Sequence, residues 1–284
     1  MNYLRARTVE EALARLGAHP RPRIVCGATD VFADATLVPS RFEWLDISRL
    51  DALRRIERGD GMVSVGAACN WEAIAGTPWL PASLTQAAGY VGSRQIRIQG
   101  TVGGNICHAS PVADGVPALL SLDAQVELAS LRGVRRLPLA DFVLGSGRTA
   151  LHADELLTAV LFALPRTQDR TAFVKCSNRD GPAIAVVSAA VHLRLCARGT
   201  VRAAAVAVGG ASEVAVRMRA VEAALLERRC GDAIDALALA SFDELAPIDD
   251  CRGTPAHRLH LARVAVMRAL AHCIEDSAHG ASIA

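Results

Sequence analysis

Arg94-Gln95-Ile96-Arg97-Ile98-Gln99-Gly100-Thr101-Val102-Gly103-Gly104-Asn105-Ile106-Cys107-His108-Ala109-Ser110-Pro111-Val112-Ala113-Asp114 is the stretch on which the reading of this chain turns. At its centre Gly100-Thr101-Val102-Gly103-Gly104-Asn105 sets paired glycines after an apolar β-branched residue. Backbone N–H groups can converge on an anion there without Cβ obstruction, and Thr101 and Asn105 add side-chain donors. A phosphate or pyrophosphate is the natural guest of such a nest; a tight turn that merely needs glycine is the other reading. An earlier loop, Cys26-Gly27-Ala28-Thr29-Asp30, follows an apolar strand at Arg23 to Cys26 and is expected to open a helix, an arrangement that also suits phosphate.

Working outward, Thr8 and Glu11 make a capping-box pattern ahead of an amphipathic helix that Gly17 ends. With the strand before Gly27, a helical stretch after it and a strand at Phe42 to Ile47, the order strand–helix–strand predicts a small parallel unit. The character changes after Leu50. Leu53 to Ile56 and Met62 to Ala67 read as a hairpin about Arg58-Gly59-Asp60-Gly61, Asn70 as the cap of a short helix, and Pro81 to Val91 as a longer helix. Gln125 to Leu139 reads as a second hairpin, and Val186 to Cys196 with Val201 to Val208 as a third. Met218 to Cys273 is expected to be mostly helical, with Glu275 to Ala284 a loose tail. The fold class is α+β, with a boundary near Pro165–Thr171.

Composition narrows the function classes. Half of the 284 residues are apolar and the net charge is +2, with a pI near 8.2. Basic residues are scattered singly and in pairs, so nucleic acid and anionic membrane are not the expected partners. Eight cysteines lie at 26, 69, 107, 176, 196, 230, 251 and 273, and no Cys-x-x-Cys clip occurs. Neither a zinc site nor a locally bound iron–sulfur cluster is signalled. The longest uncharged apolar run, Gly181 to Leu193, is far short of the ~20 residues of a membrane span. No signal-peptide pattern opens the chain, and a reducing cytoplasm is the expected home. Lys175 is the single lysine against thirty arginines (31 basic residues less one).

Other motifs carry less. Gly145-Ser146-Gly147-Arg148-Thr149-Ala150 fits the loose dinucleotide pattern without a strand–turn–helix around it, and reads as a turn. His257 and His260 stand three apart in an Arg-rich helix and read as solvated. No Gly-x-Ser-x-Gly elbow or Walker loop is present. Trp44, Trp71 and Trp79 read as packing residues.

The long stretch quoted first resembles the signature of the FAD-binding, or medium, subunit of the molybdenum hydroxylases, the family of xanthine, carbon monoxide and aldehyde dehydrogenases. Four further segments match in order: Ile24 to Val31, Asp154 to Val160, Phe173-Val174-Lys175 with Ile184 to Ser188, and Asp249 to Gly253 continuing through His260 to Arg263. The resemblance implies a PCMH-type FAD-binding domain of two lobes over residues 1–165, with the lobe boundary near 50–55, then a smaller α+β domain over 171–275. It implies that Ile24, Val25, Cys26, Gly27, Ala28, Thr29, Asp30 and Val31, with Thr101, Val102, Gly103, Gly104 and Asn105, hold the FAD pyrophosphate and adjoining groups. Asp114 would bond the cofactor's sugar or ribityl hydroxyls, Leu156 or Leu157 would pack on it, and Lys175 would lie near the flavin ring. A compact ammonium there can stabilise negative charge on a reduced flavin. No catalytic residue or metal ligand is implied for the chain itself. The implied partners are a small subunit with two [2Fe–2S] clusters and a large molybdenum-cofactor subunit, with NAD⁺ or another acceptor taking the electrons. A stand-alone flavin oxidase or reductase, and a scaffold that has lost its cofactor, are the alternatives. Three positions depart from the family pattern: Ala28 replaces a usual second glycine, Val91 stands where an aromatic can flank the flavin, with Tyr90 beside it, and His108 stands where Asn is common.

Overall fold

Residues 3–280 are described in this computed structural model, with side chains through Glu275. β1 (Tyr3–Arg5) leads into α1 (Val9–Gly17). Thr8 Oγ1 accepts the Glu11 amide at 3.1 Å, while the Glu11 carboxylate takes the Arg7 amide, so the capping pair forms with its return bond one residue early. Ala12, Leu13 and Leu16 are the buried stripe. β2 (Arg23–Val25) and β3 (Trp44–Asp46) complete a parallel sheet of order β1-β3-β2, so the small parallel unit forms as expected.

The chain between β2 and β3 corrects one expectation. No α-helix follows the first loop; the segment is made of turns and one 3₁₀ turn at Pro39–Arg41. Ala28 takes a left-handed φ of 57°, Phe32 is 82% exposed, and Pro39 has no N–H to give. With no apolar stripe to bury, nothing offsets the cost of helix nucleation there.

β4 (Ile56–Gly59) and β5 (Met62–Gly66) form a hairpin about the expected turn, but its first arm starts only at Ile56, because Asp51–Arg54 is a 3₁₀ turn. Its turn residues Asp60 and Gly61 have φ of 52° and 74°, the positive pair that a two-residue turn between twisted strands needs. Asn70 Oδ1 caps α2 (Trp71–Ala75) by accepting the Ala73 amide at 2.8 Å. Four helices follow: α3 (Ala82–Tyr90), α4 (Arg94–Gln99), α5 (Val102–His108) and α6 (Gly115–Ser121). The hairpin of β6 (Gln125–Ser130) and β7 (Gly133–Pro138) precedes a short α7 (Leu139–Phe142). β8 (Val143–Gly145) and β9 (Arg148–Thr149) then fold about Gly147, at φ 67°, so the glycine-rich 145–150 segment is a turn. β10 (Leu156–Ala163) runs between β5 and β6, closing an antiparallel sheet of order β4-β5-β10-β6-β7.

The last part holds β11 (Asp169–Cys176), β12 (Val187–Leu195), β13 (Val201–Gly209) and β14 (Val216–Arg217), an antiparallel sheet in sequence order. α8 (Arg219–Leu225), α9 (Ala233–Leu239) and α10 (Pro255–Gly280) follow. α10 continues past Glu275, so the expected loose tail begins inside a helix, and residues 281–284 lie outside the described residues. Among the described residues no helix is long and apolar enough to cross a membrane.

The chain divides into two compact units. The first comprises Met1–Ile74, Arg94–Ala109 and Ala124–Leu164; the second comprises Ala75–Ser93, Ser110–Asp123 and Pro165–Ala284. The second unit therefore starts in bulk near the expected 165–171 boundary but also draws in α3 and α6. The reason lies in the two faces of its sheet. Ala172, Val174, Val187, Ala189, Val191, Val206 and Val208 pack with α8, α9 and α10. The alternate residues of β11 face the other way, onto α3 and α6: Thr171 Oγ1 accepts the Ser83 amide, and the Phe173 amide goes to Gln86 Oε1. A sheet apolar on both faces needs a layer on each, and α3 and α6 are the second layer.

Candidate functional site

The first unit brings the two glycine-bearing loops together. A Cβ added at Gly27 would lie 2.0 Å from the carbonyl oxygen of Gln99, so the loop after β2 rests directly on the end of α4. A Cβ at Gly103 would meet the Ala67 carbonyl oxygen at 2.7 Å. At both of these glycines backbone lies on backbone. Gly104 is exposed, and a Cβ there would meet only Thr101 Oγ1, at 3.0 Å.

Where the amides point is a second correction. Val102 and Gly103 donate to the carbonyls of Cys69 and Ala67 at 3.0 and 2.9 Å, and Asn105 donates to Thr101 O at 3.0 Å. The Gly104 amide goes to Thr101 Oγ1 at 3.1 Å, because Thr101 is the N-cap of α5. The amide nest expected at Thr101 to Asn105 does not form: Val102 and Gly103 fasten α5 to the turn after β5, and Gly104 and Asn105 bond back to Thr101. The run of amides left for an anion is in the first loop. Among the described residues none of the Gly27, Ala28, Thr29, Asp30 and Val31 amides donates to another protein group. Ala28 supplies the left-handed residue that lets successive N–H groups turn to one side, the geometry of an anion-binding concavity.

The surrounding side chains fit the same guest. Asn105 Oδ1 is buried with no partner, so an acceptor stands ready for a hydroxyl or water. Asp30, exposed, faces His108 Nε2 at 3.8 Å, which gives the His108 departure a partner in the other loop. Burial pushes the Cys26 thiol up to about 11 and Cys107 to about 12, leaving both as neutral, unreactive thiols. Ile24 and Cys26 pack on a core cluster that contains Leu45, Ala68, Ala129 and Leu156. Leu156 and Leu157 are each 2% exposed, so Leu156 underlies the base of the loop rather than lining it.

The second unit carries Asp114 and Lys175. Register pairs Lys175 with Ser188 on the sheet face toward α6, and the Lys175 ammonium reaches Asp114 Oδ2 at 2.7 Å and Tyr90 O at 3.1 Å. Their side chains are 4% and 9% exposed. Burial pushes the Asp114 carboxyl up to about 6, with the Lys175 charge pulling it back. Asp114 Oδ1 is buried and unpartnered. Tyr90 ends α3 with its ring half exposed against Phe173, while Val91 is only the residue that closes the helix. Sequence reasoning missed the Tyr90 carbonyl, which the packing of α3 brings to Lys175, and Ser188, which strand register sets opposite it.

Residues 1–166 match the family model for the FAD binding domain in molybdopterin dehydrogenase, and residues 172–273 match that for the CO dehydrogenase flavoprotein C-terminal domain. The chain belongs to the FAD-binding subunits of the molybdenum hydroxylases. The flavin subunit is 34% identical over 205 residues to the nicotinate dehydrogenase FAD-subunit of Eubacterium barkeri, covering 68% of each chain. It is 29% identical over 285 residues to the xanthine dehydrogenase FAD-binding subunit of Escherichia coli O157:H7, covering 96% of each. Reconstituted CO dehydrogenase from Oligotropha carboxidovorans has a chain of the same fold, with a TM-score of 0.88 at 25% identity, covering 97% of this subunit and 98% of that chain. FAD is the cofactor of the flavin subunit. Its residues fit that group on the structure's own terms: a run of unused amides for a diphosphate, and unpartnered buried oxygens for hydroxyl donors.

Proposed function

We propose that this subunit receives electrons from [2Fe–2S] clusters on a small partner subunit and delivers them to NAD⁺ or another acceptor. Substrate is hydroxylated on a large molybdenum-cofactor subunit of the same cytoplasmic complex. Bound FAD supplies the exchange between single electrons and electron pairs; the chain's residues bind and orient it. In this reading the amides of Gly27 to Val31 take the diphosphate, and Gly27 and Gly103 let the loops lie close enough to hold it. Thr101, Val102, Gly104 and Asn105 shape the second loop, with Asn105 Oδ1 accepting a hydroxyl. Asp114 accepts a second hydroxyl on its unpartnered oxygen, Lys175 and the half-exposed Tyr90 ring stand by the flavin, and Leu156 supports the first loop from below.

The observation that carries the reading is the unused amide run of the first loop, headed by Ala28 in a left-handed conformation. The relatives are subunits of dehydrogenases, which supports membership of a heteromeric enzyme. Purification of the natively expressed protein tests it, by measuring flavin, iron and molybdenum through successive columns. Iron and molybdenum should travel with the flavin. A flavin-loaded chain that purifies alone from its native source and turns over a substrate would replace this reading with a stand-alone flavoenzyme.

A further inference from the structure

The Asp114–Lys175 pair is half satisfied on its acidic side. One carboxylate oxygen receives the ammonium at 2.7 Å, and the other has no partner although it is buried. The ammonium has two acceptors, Asp114 and Tyr90 O. The pair is thus neutral while Asp114 is ionised and carries one positive charge once it is protonated. The open oxygen can take the proton without moving the chain.

Among the described residues no other charge on the elements packed against the pair is placed to do this. α3 carries no charged side chain apart from the ionisable Tyr90 phenol. On β11, Asp169 lies at the opposite end of the strand, paired with Arg194 and His192, and Arg170 is beside it. β12 sets Ser188 opposite Lys175, its buried hydroxyl also unpartnered, and β13 sets Gly209 next in the row. His192 and Arg217 meet α6 at its far end, at the carbonyls of Ser121 and Leu120, roughly 10 Å along the helix from Asp114.

We propose that Asp114 is the proton acceptor of this subunit: it takes a proton onto the oxygen that Lys175 does not hold, the cofactor hydroxyl there turning from donor to acceptor, when negative charge arrives beside the pair, and returns it when that charge leaves. The inference rests on the assignment of Asp114 and Lys175 to the flavin. One O–H bond forms, the proton comes from solvent, and the electrons stay with the cofactor. Protonation leaves Lys175 as an uncompensated cation facing the new charge. Burial already holds the Asp114 carboxyl at about 6, and an added anion raises it further. Between the carboxyl's value in the oxidised protein and its higher value in the reduced one, reduction carries one additional proton.

The test is made on the FAD-loaded full chain. NMR of isotope-labelled aspartate follows the Asp114 carboxyl in the oxidised and the dithionite-reduced protein, with Asp114→Asn used for assignment. Redox titrations across the neutral range compare wild type, Asp114→Asn and Lys175→Met. Asp114 should titrate near neutrality when oxidised and higher when reduced, and Asp114→Asn should remove one proton from the slope of potential against pH. An Asp114 that titrates identically in both redox states, with the potential still sensitive to Lys175→Met, overturns the inference and leaves the assignment of Lys175 standing. Potentials identical in all three loaded proteins overturn both.

Discussion

Ala28 holds a left-handed φ of 57° at the head of the first loop. A side chain with Cβ costs about 1–2 kcal/mol in that conformation, and glycine does not. Ala28→Gly should therefore raise unfolding stability by about 1 kcal/mol after the added freedom of the unfolded glycine is counted, with FAD retained. Ala28→Val should lower both stability and flavin content. Denaturant titration with flavin absorbance reads the pair, and equal stability of all three would remove the left-handed conformation from the account. The sequence already marked this residue, as an alanine where glycine is usual. Lys175 also stood out in the sequence, by composition, but its partner did not. Lys175→Met removes both influences that hold Asp114 down, so the carboxyl should climb beyond about 6. A carboxyl whose folded pKa exceeds its unfolded value loses stability as pH rises through the interval between them. The melting temperature of Lys175→Met should accordingly fall more steeply than that of wild type from about pH 6 to about pH 8. Parallel curves would show that Asp114 does not feel the ammonium.

At the scale of elements, the glycines separate by what their Cβ would strike. Gly27→Ala places a methyl 2.0 Å from the Gln99 carbonyl oxygen, and Gly103→Ala places one 2.7 Å from that of Ala67. Backbone cannot yield as a side-chain tip does, so each should cost about 1–3 kcal/mol and release FAD. Gly104→Ala, at an exposed helical position, should keep FAD and change stability by less than about 1 kcal/mol, the helix propensity of alanine opposing its close approach to Thr101 Oγ1. Flavin absorbance per chain with a denaturation midpoint decides it; a Gly104→Ala protein that loses flavin while Gly27→Ala keeps it would reverse the roles of the two loops. The motif was legible as glycine-rich, and its amides were not. Whether Val102 and Gly103 point at an anion depends on carbonyls at Cys69 and Ala67, more than thirty residues away in sequence, and no local pattern encodes that. The helix expected after the first loop failed for the complementary reason. Its residues have acceptable propensity but no face to bury, with Phe32 82% exposed, and tertiary burial is what sustains most short helices.

At the scale of the whole molecule, alternation made the hairpin of β12 and β13 readable, since both repeat every second residue toward one core, whereas β11 was not read as a strand. What covers their other face could not be read, because α3 and α6 come from segments that precede β11 by tens of residues. That recruitment carries a consequence for any chain cut at the 165–171 boundary. A chain of residues 168–280 loses α3 and α6, whose Leu84, Val116, Leu119 and Leu120 are each at most 5% exposed. Those four alone bury side chains that stabilise by about 1.5–3 kcal/mol each, a sum comparable with the roughly 5–15 kcal/mol that holds a typical domain together. The cut also strips Lys175 of both its acceptors, Asp114 and Tyr90 O, and leaves Thr171 and the Phe173 amide without Ser83 and Gln86. The truncated chain should show no cooperative thermal transition by circular dichroism and should associate through the bared sheet face on size-exclusion chromatography. Co-expression with residues 75–123 should restore part of the transition. A monomeric 168–280 chain that melts cooperatively near the temperature of the full subunit would show that α3 and α6 merely lie on a sheet already stable without them.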